Sequence, residues 1–147
     1  MFDDQRVLIA EGDERLRRKL YGMLLDREIF SDVVANSNAA IDKLRGEQYA
    51  LVLLDLALPP DTADEVMQFV AKLPPRRRPF ILALATHQDN RGLDVEIVQI
   101  VLRKPFDLTS TADIVQSCLR STHRSEGRAK QAAADQDAED EARSARV

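Results

Sequence analysis

Short apolar runs alternate with segments of helical periodicity along most of this chain, and this alternation is the strongest constraint on its fold. Five runs have the length and composition of strands: residues 6–10, 32–35, 51–54, 80–84 and 98–102. Most of them are apolar at consecutive positions, which is typical of strands buried on both faces. Strands and helices in strict alternation predict a parallel sheet with right-handed crossovers. The predicted fold class is therefore α/β, a doubly wound five-stranded parallel sheet sandwiched by helices.

Apolar stripes at helical spacing lie between and after these runs, at residues 16–24, 40–44, 66–73 and 114–119. The last helix is predicted to start near Ser110, because the sequence STAD has the spacing of a capping box. Cys118 lies on the apolar face of that helix, where we expect it to be a core residue.

The length and net charge of the chain limit the kinds of fold and of binding partner that it can have. A chain of 147 residues can bury roughly two-thirds of its unfolded surface in one core. The formal net charge of -4 gives no general attraction to nucleic acid or an anionic membrane. No apolar stretch approaches the ~20 residues of a membrane span, and the N-terminal stretch lacks the apolar segment of a signal peptide. We therefore expect a cytoplasmic protein that binds other proteins, or small anions together with a metal.

The composition changes near residue 121. Beyond it the chain has no apolar stripe and consists mainly of alanine, glutamine, serine and charged residues. Such a segment cannot bury enough surface to offset the entropy of ordering it. We predict one domain over residues 1–121, followed by a charged tail over residues 122–147 that is expected to be disordered.

Acidic, cationic and hydroxyl side chains follow the predicted strands. Glu11 and Asp13 follow the first strand, Asp55 the third, Thr86 the fourth and Lys104 the fifth. Ligands of an open parallel sheet bind beyond the carboxyl ends of its strands. If the first strand lies beside the third, Glu11 and Asp55 crowd together, which is costly unless a cation such as Mg²⁺ lies between them. A carboxylate, a divalent cation, an ammonium and a hydroxyl in one pocket are the parts needed to receive a phosphoryl group.

Three stretches in combination, VLIAEGDERLRRKL, LVLLDLALPP and LRKPF, resemble the receiver domain of two-component response regulators. The resemblance covers most of the chain before the tail and implies the flavodoxin-like receiver fold. It implies that Asp55 is the phosphoacceptor and Lys104 the lysine that contacts the phosphate. It also implies that Glu11 is the first acid of a metal pair and that the backbone carbonyl of Ala57 joins the metal. Lys-Pro bonds at this position are often cis in the family, so Lys104-Pro105 is expected to be cis.

The resemblance implies a place in a phosphorelay. Asp55 would receive a phosphoryl group from a histidine kinase or a phosphotransfer protein, and the chain would signal to a downstream protein through surface contacts. A homodimer is compatible with this function, whereas direct nucleic-acid binding and membrane insertion are not expected. The chain would not be a dedicated enzyme. At most, it would carry out Mg²⁺-dependent self-phosphorylation and autodephosphorylation at Asp55.

Gly12 is the main departure from the family pattern, because it stands where the second metal-binding acid is expected. Asp13 could replace that acid as a ligand, or it could cap the first helix instead. Mg²⁺ is therefore expected to bind weakly. The alternative function is that of a pseudo-receiver, a protein-interaction module that acts without phosphorylation.

The region that would respond to phosphorylation also departs from the family pattern. The switch hydroxyl falls on Thr86 or is missing at Ala85, depending on a one-residue choice of register, and Thr86 is slightly preferred. Residues 87–97 form a shorter segment than the family's usual fourth helix. Val101 replaces the aromatic switch residue, and Ala63 lies where glycine is common. These departures predict an output face that responds differently from that of the family.

Overall fold

The computed structural model describes residues 5–121, in which strands and helices alternate as the sequence predicts. The elements in chain order are β1 (Val7–Ala10), α1 (Glu14–Leu25), β2 (Ser31–Val34), α2 (Ser37–Gly46), β3 (Leu51–Asp55), α3 (Asp64–Lys72), β4 (Phe80–Thr86), β5 (Ile100–Lys104) and α4 (residues 108–121). A 3-10 turn at Pro75–Arg77 precedes β4. The predicted tail, residues 122–147, lies outside the described residues.

The five strands form one parallel sheet in the order β2-β1-β3-β4-β5. Successive side chains of a strand point to opposite faces, so each strand contributes to two cores. On β1, Val7 and Ile9 pack with side chains of α1 and α4, and Leu8 and Ala10 pack with those of α2 and α3. The doubly wound fold class predicted from the sequence is confirmed.

Several predicted boundaries differ from the structure: β1 and β2 are shifted by one residue at their ends, and β4 extends to Thr86. Two further differences, at β5 and at the last helix, have a clear physical reason. β5 runs over Ile100–Lys104 rather than 98–102, because Val98 is buried in the turn that precedes the strand. The last helix begins at residue 108 rather than near Ser110. Its N-terminus is capped by Asp107, whose Oδ2 accepts a hydrogen bond of 2.9 Å from the amide of Ser110.

The connection between β4 and β5, residues 87–99, contains turns and no helix. It is therefore the element in which this structure departs most from a regular alternation of strand and helix. Ile97 and Val98 from this connection are buried against the α2 and α3 side of the sheet. Within residues 5–121 no helix is both long and apolar enough to cross a membrane.

Candidate functional site

Three charged side chains meet at the carboxyl edge of the sheet and form what we call the site cluster: Glu11, Asp55 and Lys104. Glu11 follows β1, Asp55 ends β3 and Lys104 ends β5. The Nζ of Lys104 lies 2.9 Å from Oε1 of Glu11 and 3.3 Å from Oδ1 of Asp55. Glu11 is fully buried and Asp55 is 3% exposed. The parallel topology therefore places two acids and one lysine in a single pocket.

Backbone amides orient both acids. Oδ2 of Asp55 accepts a hydrogen bond of 3.1 Å from the amide of Gly12, and Oδ1 accepts one of 2.9 Å from the amide of Ala57. Oε2 of Glu11 accepts a hydrogen bond of 2.9 Å from the amide of Asp13. Oε1 of Glu11 accepts no hydrogen bond within the described residues, although the ammonium of Lys104 lies at ion-pair distance from it. One buried carboxylate oxygen thus has unused capacity for a donor or a cation.

Burial and mutual repulsion separate the pKa values of the two acids. Burial, followed by the neighbouring carboxylate of Asp55, raises the pKa of Glu11 to about 7. Burial also works to raise the pKa of Asp55, but the neighbouring Glu11, the backbone amides of Gly12 and Ala57, and Lys104 lower it overall. Burial opposes the charge on Lys104, yet pairing with the two acids raises its pKa overall. Asp55 is therefore the acid that stays ionised near neutral pH.

Gly12 packs closely against the loop that follows Asp55. A Cβ atom added to Gly12 would lie 2.9 Å from Cδ of Pro59 and 3.5 Å from Oδ2 of Asp55. The φ of Gly12 is not in the left-handed region, so the requirement for glycine here comes from this close approach rather than from the backbone conformation. The ring of Pro59 occupies space that a side chain at position 12 would need. A side chain at position 12, including the acid that the family resemblance leads us to expect there, would therefore require Pro59 to move.

Of the two roles considered for Asp13, the structure shows the helix cap. This residue is exposed and is the N-cap of α1, where its Oδ1 accepts a hydrogen bond of 3.1 Å from the amide of Leu16. Its carboxylate is thus engaged with the helix rather than with the site cluster. Ala57 is exposed next to Asp55.

The family resemblance implies a divalent cation in this pocket. Carboxylate oxygens of Glu11 and Asp55 and the carbonyl of Ala57 are hard ligands of the kind that Mg²⁺ prefers. Oε1 of Glu11 pairs with Lys104 but accepts no hydrogen bond, so it keeps lone-pair capacity for such an ion. Among residues 5–121, however, no three His, Cys, Asp or Glu side chains converge as a metal cluster. The residues fit a cation held by two carboxylates and one carbonyl, with water completing its shell.

Thr86 and Ala85 lie on opposite faces of β4. Leu82 and Leu84 belong to the core on the α1 and α4 side, and Thr86 continues that face. Ala85 is buried on the other side, in the core under α2 and α3. Thr86 pairs in register with Lys104 and is exposed, so it lies on the same face as the site cluster. No hydrogen bond within the described part of the chain joins Thr86 to Asp55.

A groove of about 530 Å³ adjoins the site cluster. Its lining includes Thr86, Lys104, Lys19 of α1 and the apolar side chain of Phe106. Lys104-Pro105, at the start of the loop that forms one side of this groove, is cis as expected from the resemblance. The groove therefore gives Lys104 and Thr86 a common path to the surface.

Two residues near the site were missed by the sequence analysis. Pro59 belongs to the quoted stretch LVLLDLALPP, but its contact with Gly12 depends on the packing of two loops and has no local signal. Arg91 donates a hydrogen bond of 2.6 Å to the carbonyl of Leu56, the residue after Asp55. A single arginine in a polar connection resembles any solvated cation, so the sequence alone could not identify it.

No family model matches this chain, and no curated protein matches its sequence. Several solved structures are similar to it. A CheY-like response regulator receiver domain from Methylobacillus flagellatus has 23% identity and a TM-score of 0.67, and the match covers 78% of this chain and 98% of that chain. A chemotaxis response regulator of Vibrio cholerae has 19% identity and a TM-score of 0.70, with coverage of 78% and 98%.

A third similar structure is the receiver domain of a sensor histidine kinase from Pseudomonas aeruginosa PAO1, which has a magnesium ion coordinated in its active-site cleft. It has 22% identity and a TM-score of 0.69, and the match covers 78% of this chain and 97% of that chain. Matches at this level of identity establish architecture. The chain therefore has the receiver fold of two-component response regulators.

Proposed function

We propose that this chain is a receiver that accepts a phosphoryl group on Asp55 from a histidine kinase or a phosphotransfer protein in the cytoplasm. The observation that carries this proposal is the position of the Lys104 ammonium, which lies within 3.3 Å of Asp55 and 2.9 Å of Glu11 at the ends of separate strands. The family resemblance and the Mg²⁺-bound receiver of similar fold support it. The partner that reads the signal would bind through the protein surface.

In the proposed transfer, an ionised oxygen of Asp55 attacks the phosphorus of a phosphohistidine. An O–P bond forms, the N–P bond breaks, and the imidazole leaves with its electron pair and takes a proton from solvent. The lowered pKa of Asp55 keeps the nucleophile ionised. Lys104 is placed to pair with the phosphoryl oxygens once they are attached.

Glu11, Asp55 and the carbonyl of Ala57 would hold Mg²⁺. When bound, the ion would neutralise negative charge on the acids and on the incoming phosphoryl group. Because Gly12 supplies no carboxylate and Asp13 caps α1, the binding should be weak. Thr86, on the same face as the site cluster, is the proposed switch hydroxyl.

The test is intact-mass measurement after incubation with a small phosphodonor and Mg²⁺. The parent should gain one phosphoryl group, which hydroxylamine should remove as expected for an acyl phosphate. Asp55→Asn should gain none, and Asp42→Asn, which changes an exposed acid on α2, should behave like the parent. Undiminished labelling of Asp55→Asn would show that the phosphoacceptor is elsewhere.

The packing of Gly12 against Pro59 favours a second candidate function, a pseudo-receiver that binds partners without phosphorylation. This alternative predicts no labelling of the parent at any Mg²⁺ concentration. It also predicts that a partner protein binds the parent and Asp55→Asn with equal affinity. The mass measurement and one binding titration therefore separate the two functions.

A further inference from the structure

Arg91 of the β4–β5 connection joins that connection to the loop that follows Asp55. Its guanidinium donates hydrogen bonds to the carbonyl of Leu56 at 2.6 Å and to the carbonyl of Thr62 at 2.8 Å. It also forms ion pairs with Asp64 at 3.2 Å and with Asp89 at 2.8 Å. We call these residues the Arg91 cluster. One side chain thus spans residues 56–64 and the turn at residue 89.

The loop between β3 and α3 has a backbone conformation that needs support. Thr62 and Ala63 are consecutive residues with positive φ, at 59° and 67°. L-residues other than glycine adopt this left-handed conformation at a cost in free energy, so it persists where surrounding contacts hold it. Arg91 accounts for one such contact, because it binds the carbonyl of Thr62 itself.

The guanidinium suits this position for a geometric reason. Its planar fork presents several N–H donors in fixed directions, so it can bind two carbonyls and a carboxylate together. The amide of Ala57, one residue after the bound Leu56 carbonyl, donates to Oδ1 of Asp55. A displacement of the Leu56 carbonyl would therefore disturb the hydrogen bonding of the proposed phosphoacceptor.

Arg103 provides an internal comparison. Its guanidinium donates to the carbonyl of Thr86, the last residue of β4, at 3.1 Å and to the carbonyl of Asp89, in the β4–β5 connection, at 2.8 Å. Within the described residues it makes no hydrogen bond to the loop between β3 and α3. Arg103 therefore fastens the start of the β4–β5 connection to β5, whereas Arg91 fastens it to the loop next to Asp55.

We propose that Arg91 is a positioning residue for Asp55 and the link through which a change at Asp55 alters residues 87–99. The inference rests on the proposed function only in taking Asp55 as the place where the signal begins. It deepens that function by naming a contact, separate from the proposed switch hydroxyl of Thr86, that joins Asp55 to residues 87–99 in a receiver without a helix between β4 and β5. In this account Arg91 acts through the Leu56 and Thr62 carbonyls and does not contact the phosphoryl group.

Native-state hydrogen exchange tests the positioning role. Arg91→Ala should speed the exchange of amides in residues 56–64 by about tenfold relative to amides of β1 in the same molecule. Arg103→Ala, the matched control, should leave residues 56–64 unchanged and speed exchange only in residues 86–91. Arg91→Lys keeps the positive charge but lacks the planar guanidinium, and it replaces the alanine variant if that variant does not fold. It should also speed exchange in residues 56–64. Equal exchange in that loop for the parent and the Arg91 variants would overturn the proposal.

The coupling is tested without any phosphodonor by Asp55→Asn, which changes the charge at the proposed signal origin. In the parent background this substitution should alter exchange in residues 87–99 at least about threefold, and in an Arg91→Lys background the alteration should vanish. It should persist in an Arg103→Ala background. No response in the parent, or an equal response with and without Arg91, would overturn the link. If the link holds while Asp55 cannot be phosphorylated, the proposed function fails and this inference stands.

Discussion

The site cluster and the Arg91 cluster lie near the same edge of the sheet but balance charge in different ways. In the site cluster two buried acids face one lysine, and an oxygen of Glu11 has no hydrogen-bond partner. In the Arg91 cluster one guanidinium binds two backbone carbonyls and two carboxylates, and its side chain is 29% exposed.

This difference separates a site prepared for a ligand from a contact that is already complete. Burial, followed by the neighbouring carboxylate of Asp55, raises the pKa of Glu11, so a second full negative charge is costly in the site cluster. A proton or a cation relieves that cost. The donors of Arg91 are occupied by partners within the described residues, in keeping with its proposed role of holding the loop.

Removal of the lysine should have the largest effect on stability. Lys104→Met keeps much of the apolar stem but leaves two buried acids without a cation, and we expect the free energy of unfolding to fall by about 3 kcal/mol at pH 8. Lys19→Met, at an exposed position of α1, should change it by less than about 0.5 kcal/mol. Urea denaturation of both variants checks this, and equal effects would mean that the site cluster does not depend on its ammonium.

The contact between Gly12 and Pro59 should have the next largest effect. Gly12→Ala places a Cβ atom 2.9 Å from Cδ of Pro59, and overpacking of this kind costs about 2 kcal/mol. Pro59→Ala should remove most of that cost, so a double-mutant cycle should show strong positive coupling between the two positions. Additive effects would contradict the steric account.

The contact between Gly12 and Pro59 also limits how a carboxylate can be introduced at position 12 to test the metal site. Gly12→Asp alone would combine a new charge with a steric clash, so it cannot report on metal affinity by itself. In a Pro59→Ala background, Gly12→Asp should increase the Mg²⁺-dependent rise in Tm over that of Pro59→Ala alone, because another carboxylate becomes available to the ion. Equal rises would place the second acid of the metal site elsewhere.

Stability should depend on pH through Glu11. Its folded-state pKa of about 7 lies above the ordinary value of 4.5, so the folded protein binds more protons than the unfolded chain between these pH values. Stability from this group is therefore present near pH 5 and lost as the pH rises through 7. The stability of the parent relative to Glu11→Gln should fall by about 1 kcal/mol or more from pH 5 to pH 8. Glu96→Gln, at an exposed position, is the control and should show no such trend.

Removal of residues 122–147 should have the smallest effect. We propose that these residues are a tail distinct from the receiver domain, because their sequence has no apolar stripe to bury. The truncated protein should have nearly the same Tm as the full chain. A decrease of more than a few degrees would show that the tail packs on the domain.

The fold was largely predictable because it depends on periodicity, which is a local property. Residues 7–10 of β1 and residues 51–54 of β3 are all apolar, and their burial on both faces follows directly. The error at β5 has a physical cause. Val98 is apolar because the segment before the strand is buried there, and an apolar residue in such a segment resembles the start of a strand. Asp107 was missed as a helix cap because STAD offered a competing capping pattern nearby.

The site was predictable only where topology alone brings residues together. Glu11, Asp55 and Lys104 follow strands that end at one edge, so their meeting required only the strand order. The contact of Gly12 with Pro59 and the reach of Arg91 to Leu56 depend on loop conformations, and neither has a periodic signal. The face occupied by Thr86 depended on the register of β4, which the sequence left open by one residue.

In the proposed function, phosphorylation of Asp55 depends on a weakly held cation. The most direct test is the rate of Asp55 phosphorylation by a small phosphodonor, measured by intact mass across a Mg²⁺ titration from chelator to tens of millimolar. We expect no labelling in chelator and a rate that rises with Mg²⁺ and saturates only in the millimolar range. An unlabelled protein at every Mg²⁺ concentration, or a rate that does not depend on Mg²⁺, would contradict the proposed function.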